Sequence, residues 1–129
     1  MKNWMLVLML FVGLEVLGQG ATRKPKAKET TPSTTQRAVA YAQRDIRNKT
    51  ISIHLQGGIV STMTNADLAF GKMYGVGITE FGCVGMDREY SLAYNKEIFK
   101  YLDGEFGTVW RQQIRDDMIG FKEYVAETN

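Results

Sequence analysis

The chain has 129 residues, of which 44% are hydrophobic, 23% charged and 11% aromatic, with a formal net charge of +2. That composition excludes a collagen, a cysteine-rich scaffold and a wholly disordered chain, and the length supports one domain at most. The charge is unevenly placed: residues 21–36 carry Arg23, Lys24, Lys26 and Lys28 against Glu29, whereas residues 37–129 hold 11 basic and 12 acidic side chains. The basic character therefore belongs to a tail. A nucleic-acid-binding surface, which needs Lys and Arg gathered on one face of a fold, is not expected.

Residues 1–18 read as a secretory signal. Lys2 supplies a positive n-region and Met5 to Leu14 an apolar h-region, closed by Glu15. Ten apolar residues are too few for a hydrocarbon core that takes about 20. Cleavage after Gly18 or after Gly20 satisfies the small-residue rule, and an exported protein, periplasmic or extracellular, is expected. No later segment is apolar enough to span a membrane. Residues 19–34 form a Lys-, Thr- and Pro-rich linker with no hydrophobic periodicity, too polar to offset ordering entropy. Its charge suits at most a weak contact with anionic lipid or wall polymer.

Residues 35–129 are the expected globular domain. Ser33, Thr34 and Thr35 offer caps for a first helix to about Arg47, with Val39, Ala42 and Ile46 at helical spacing. Asn48-Lys49-Thr50 has the form of a glycosylation sequon, a short and frequent pattern. Ile51 to Gln56 alternates, Ile51, Ile53 and Leu55 against Ser52, His54 and Gln56, which predicts a half-buried strand. Gly57-Gly58 ends it, and Ile59 to Met63 is either a hairpin partner or a loop. Thr64 and Asp67 form a capping signal for a short helix carrying Leu68, Ala69, Phe70 and Met73 and ending at Gly75. Val76 to Val84 reads as a second strand, so a right-handed parallel strand-helix-strand crossover is expected. Asp87 caps the longest helix, Arg88 to about Phe106, which Gly107 closes. From Thr108, the spacing of Trp110, Ile114, Met118, Phe121 and Val125 predicts a last helix with this stripe as its packing face. The fold class expected is α/β, with α+β as the alternative: a small two- or three-stranded sheet covered by three to four helices.

Several segments recur in a recognisable order: Leu55-Gln56-Gly57-Gly58-Ile59, Phe70-Gly71-Lys72-Met73-Tyr74, Phe81-Gly82-Cys83, Tyr94-Asn95, Lys100 to Asp103, Phe106-Gly107, Trp110-Arg111, Ile114-Arg115 and Ile119-Gly120-Phe121. From Ile51 to Phe121 the chain resembles the FEKKY-domain proteins, small secreted proteins of Bacteroidota. The name motif matches at Phe70, Lys72 and Tyr74 and differs at Gly71 and Met73. The resemblance implies the architecture and export, and it carries no catalytic residue over.

Chemistry-bearing residues are few. Cys83 is the single cysteine, so no intramolecular disulfide forms. Between Gly82 and Val84 it reads most simply as a small buried hydrophobe. A reactive thiol would need exposure and a depressed pKa. His54, the single histidine, pairs with Cys83 as base and nucleophile only if their strands are neighbours. One His and one Cys fall short of a zinc site. No phosphate loop, dinucleotide fingerprint or serine elbow is present, so neither metal nor cofactor is expected. No spacing selects a glycosidase pair from Glu80, Asp87, Glu89, Asp103, Glu105, Asp116 and Asp117. Asn95, beside Tyr94, would have to be hydrogen-bonded if buried, and it reads first as a tie between helix and loop backbone. Arg111 is placed to pair with Asp103 or Glu105. Tyr94, Asn95 and Arg111 are thus the binding candidates. The expected function is a non-enzymatic binding or structural module for a protein, peptide or glycan. The alternative is a small hydrolase or thiol enzyme using Cys83 and His54.

Overall fold

A computed structural model describes residues 30–129; the expected signal and most of the expected linker lie outside the described residues. The first helix, α1 (Thr34–Asn48), starts at Ser33, whose hydroxyl accepts from the Gln36 N–H while the Gln36 side chain accepts from the Ser33 N–H. This reciprocal pair satisfies two donors that a helix start leaves orphaned. Strand β1 (Ser52–Leu55) leads through a long loop to α2 (Asn65–Tyr74), which Thr64 and Asp67 cap in the same reciprocal way. Strand β2 (Gly77–Glu80) follows, then α3 (Arg88–Phe106), capped by Asp87. A 3-10 turn (Val109–Gln112) and α4 (Phe121–Thr128) complete the chain. The two strands are parallel, with Ser52 opposite Gly77 and Leu55 opposite Glu80, so β1, α2 and β2 form the crossover that the spacing predicts. Among the described residues the fold is a small α/β arrangement of four helices and two strands. Among the described residues no helix is long and apolar enough to cross a membrane.

The long helix α3 organises the core. Tyr94, Ile98, Phe99 and Leu102 are buried on it, in one cluster with Ile53 and Leu55 of β1 and with Trp110 and Phe121. Ala38 and Ala42, both fully buried, let α1 lie close against α3. In α2 the buried residues are Asp67, Phe70 and Tyr74, while Leu68 and Met73 face outward.

Three expectations about the elements change, and one open alternative is resolved. Strand β1 is buried on both faces, since His54 is covered along with Ile53 and Leu55. Ile59 to Met63 is loop, and β2 is four residues long rather than nine. The largest change is in the last segment: residues 108–125 are not one helix. The stripe of Trp110, Ile114, Met118 and Phe121 is buried as the spacing predicts, but it is carried by the 3-10 turn, an irregular stretch and α4. The break has a tertiary cause. The Ile119 N–H bonds the His54 carbonyl on β1 at 3.2 Å, a bond lost if that N–H reached back to Arg115 as a helix requires. Gly120 turns the chain in the left-handed region (φ 79°), where a Cβ would meet the Leu92 side chain at 2.9 Å.

Candidate functional site

Asn95 sits on α3 facing the outer edge of β1 and is fully buried. Its Oδ1 accepts from the His54 N–H at 2.8 Å, and its Nδ2 donates to the carbonyls of His54 (2.9 Å) and Ile119 (2.8 Å). The side-chain amide thus acts as one residue of a third strand. It closes an edge that would otherwise leave backbone groups unpaired in the core. The role is structural and leaves the amide no group for a ligand.

The His54 ring lies on the opposite face of β1 from Ile53 and stacks on Tyr94 at 4.3 Å between centroids, with Phe81 edge-on at 5.2 Å. Its Nδ1 is buried and has no hydrogen-bond partner among the described residues. The Tyr94 hydroxyl reaches past the ring to donate to Asp45 of α1 at 2.8 Å. Burial, with the Asp45 bond behind it, pushes the Tyr94 phenol up out of any working range. Burial also lowers His54 from 6.5 to about 4, the Asp45 charge opposing this only weakly. A folded-state pKa below the unfolded value means that the unfolded chain takes the proton first. Stability is therefore complete above about pH 6.5 and is lost as the pH falls toward 4. The expected loss is about 3 kcal/mol. Urea midpoints measured across that interval should fall steeply for the wild type and stay nearly level for His54→Phe, which keeps the ring stack; parallel slopes would refute the assignment.

Arg111 does pair with Asp103, as the spacing predicts. Asp103 also accepts from the Trp110 indole at 3.0 Å and from the Tyr124 hydroxyl, so one carboxylate ties α3 to the 3-10 turn and to α4. Burial opposes ionisation of Asp103, but these hydrogen bonds outweigh it and hold its carboxyl below the usual range; burial and the same bond push Tyr124 up to about 12. Eight residues of helix separate Asp103 from Asn95, about 12 Å. The binding candidates therefore fall in two structural clusters.

Cys83 is exposed, against the expectation of a buried side chain. It lies on the loop after β2, whose polar backbone the Gln56 amide meets by donating to the Gly82 carbonyl at 2.8 Å. Among the described residues no hydrogen bond joins Cys83 to His54, which lies beneath Phe81 and Tyr94. None of their Cys, His, Asp and Glu side chains group in a way that could hold a metal ion.

A different surface stands out where the two strands end. Glu80, the last residue of β2, accepts from the Ser61 hydroxyl at 2.6 Å and from the Thr62 N–H and hydroxyl at 2.7 and 2.6 Å. These bonds hold its carboxyl below the ordinary range. Arg115 grips the same loop at the Thr62 carbonyl (3.0 Å) while paired with Asp67 and Asp117. The loops after β1 and β2 also touch: a Cβ on Gly82, itself at φ 60°, would meet the Gly58 carbonyl at 3.0 Å. From this braced framework Ile59 (91% exposed), Val60 (76%) and Val84 (80%) project into solvent. In the sequence Glu80 is one of several carboxylates that no spacing selects, and the rim has no assigned role. The available signal was aliphatic residues beside glycines just past each strand, where loops of a parallel sheet carry binding groups. Comparison with protein-family models, with curated proteins and with solved structures finds no match to this chain.

Proposed function

We propose that this chain is an exported, non-enzymatic binding module whose contact surface is the rim formed by Ile59, Val60 and Val84. The likeness to FEKKY-domain proteins and the Lys2 and Met5–Leu14 pattern support export; an intact mass of the native protein starting near Gln19 or Ala21 would record it. The observation that carries the binding reading is the rim itself. Ile59 and Val60 stand in water on the loop that Glu80 and Arg115 hold in place, and Val84 on the loop that Gln56 ties at the Gly82 carbonyl, while Asn95, Tyr94 and Arg111 spend their polar groups inside the fold. Apolar side chains on a rigid polar framework favour a partner with apolar side chains of its own, a peptide segment rather than a sugar.

Peptide and glycan arrays probed with the purified protein test this. Apolar peptides should be retained. Val60→Lys and Val84→Lys should weaken them about tenfold or more, as expected for charge placed in an apolar contact. Both changes are at exposed positions, so thermal stability should hold. Retention of glycans alone, or peptide binding indifferent to both substitutions, would defeat the reading.

A further inference from the structure

The two edges of the sheet differ. On β1 the outward groups are those of Ser52 and His54, and the Asn95 amide and the Ile119 N–H satisfy those of His54. On β2 the Gly77 N–H bonds the Ile51 carbonyl and the Phe81 N–H bonds the Leu55 carbonyl, which with the parallel register turns residues 77, 79 and 81 toward β1. The N–H and C=O groups of Ile78 and Glu80 therefore point away from β1. Among the described residues no strand or side chain pairs with them. β2 is an open edge with a donor and an acceptor at each of two positions, about 6.6 Å apart along the strand. Extended backbone matches that spacing.

We infer that β2 pairs antiparallel with β2 of a second copy, across a two-fold axis at Thr79, joining two crossover units into a four-stranded sheet. The outward groups are symmetric about Thr79. Ile78 of one copy and Glu80 of the other then form a hydrogen-bonded pair, each exchanging N–H and C=O, and the symmetric pair repeats it. Four bonds form and no outward group is left over. β2 also lacks several of the devices that keep edges apart. It has no Lys, Pro or bulge, and its one charge, Glu80, is folded back onto Ser61 and Thr62. Leu68 (55% exposed) and Met73 (62%) stand outward on α2, the helix packed on β2, and add apolar surface for the second copy. The pairing is independent of the rim. It would leave the two rims at opposite ends of the joined sheet, giving a bivalent binder.

Sedimentation equilibrium of the purified protein over a wide concentration range tests the pairing. Wild type should pass reversibly from monomer to dimer. Ile78→Pro removes an N–H that β1 does not use, and Ile78→Ala trims the same side chain but keeps the N–H. The alanine variant should dimerise nearly as wild type does, and the proline variant about tenfold more weakly or not at all. Equal weakening by both would assign the dimer to side-chain contact and overturn the proposal. A wild type that stays monomeric also overturns it and leaves the edge to a different polypeptide. If the proline variant does not fold, amide exchange of the wild type decides: protection at Ile78 and Glu80 should rise with protein concentration while Gly77 and Thr79 stay constant. Protection that is independent of concentration at all four overturns the pairing.

Discussion

Replacing Asn95 by Leu should remove about 4 kcal/mol of stability. The side chain is fully buried and makes three hydrogen bonds to backbone. A leucine of similar size leaves the His54 N–H and the Ile119 carbonyl without partners in the core, and each such group costs about 1–3 kcal/mol. The His54 carbonyl keeps the Ile119 N–H, so the loss is partial. Asn95→Asp should be worse than its size suggests. One carboxylate oxygen still accepts from His54, but the other then faces two carbonyl oxygens where Nδ2 had donated. Urea denaturation gives the midpoints, and amide exchange at His54 and Ile119 should quicken before global unfolding. A midpoint unchanged in the leucine variant would mean that β1's outer edge is held by something other than this amide.

Trp110→Ala should cost about 3–5 kcal/mol, the range for truncating a large buried aromatic. Trp110 is fully buried, stacked on Phe99 at 5.6 Å and tilted against Phe121 at 5.8 Å, and its indole N–H is one of the Asp103 bonds. Against the ~5–15 kcal/mol typical of a small domain, that loss leaves the variant largely unfolded or poorly expressed. Trp110→Phe keeps the ring contacts and gives up the hydrogen bond, so it should cost only about 1–2 kcal/mol. If Trp110 served a ligand instead, the alanine variant would keep its denaturation midpoint. Chemical denaturation of the three proteins side by side separates these outcomes.

The legible parts of this fold were those with a local cause. Ser33, Thr64 and Asp87 each cap a helix through bonds to residues two or three positions away, so α1, α2 and α3 begin where the residue pattern places them. Gly75 and Gly107 end α2 and α3 for the same kind of reason, a positive φ that glycine adopts at no steric cost. The pairing of Arg111 with Asp103 and the tie made by Asn95 were also readable. A guanidinium beside a carboxylate, and an amide among apolar neighbours on a helix, each have one favourable outcome when buried.

What only the tertiary structure decided is where distant segments meet. A 4-4-3-4 spacing is satisfied by a helix, but the stretch from Gln113 to Gly120 instead passes along β1, where the Ile119 N–H finds the His54 carbonyl. Alternation in β1 predicts one wet face; Tyr94, Tyr90 and Phe81, 27 to 40 residues away in sequence, arrive to cover it and make His54 a neutral core residue. Flanking Gly82 and Val84 at a strand end suggest a buried Cys83, yet the loop after β2 carries it out to solvent. Helix caps and chain turns are governed by a few adjacent dihedrals and are written in adjacent residues. Which strand edge is closed, which histidine is dry and which loop stands in water depend on contacts between residues far apart in the chain, and periodicity along one segment holds no record of them.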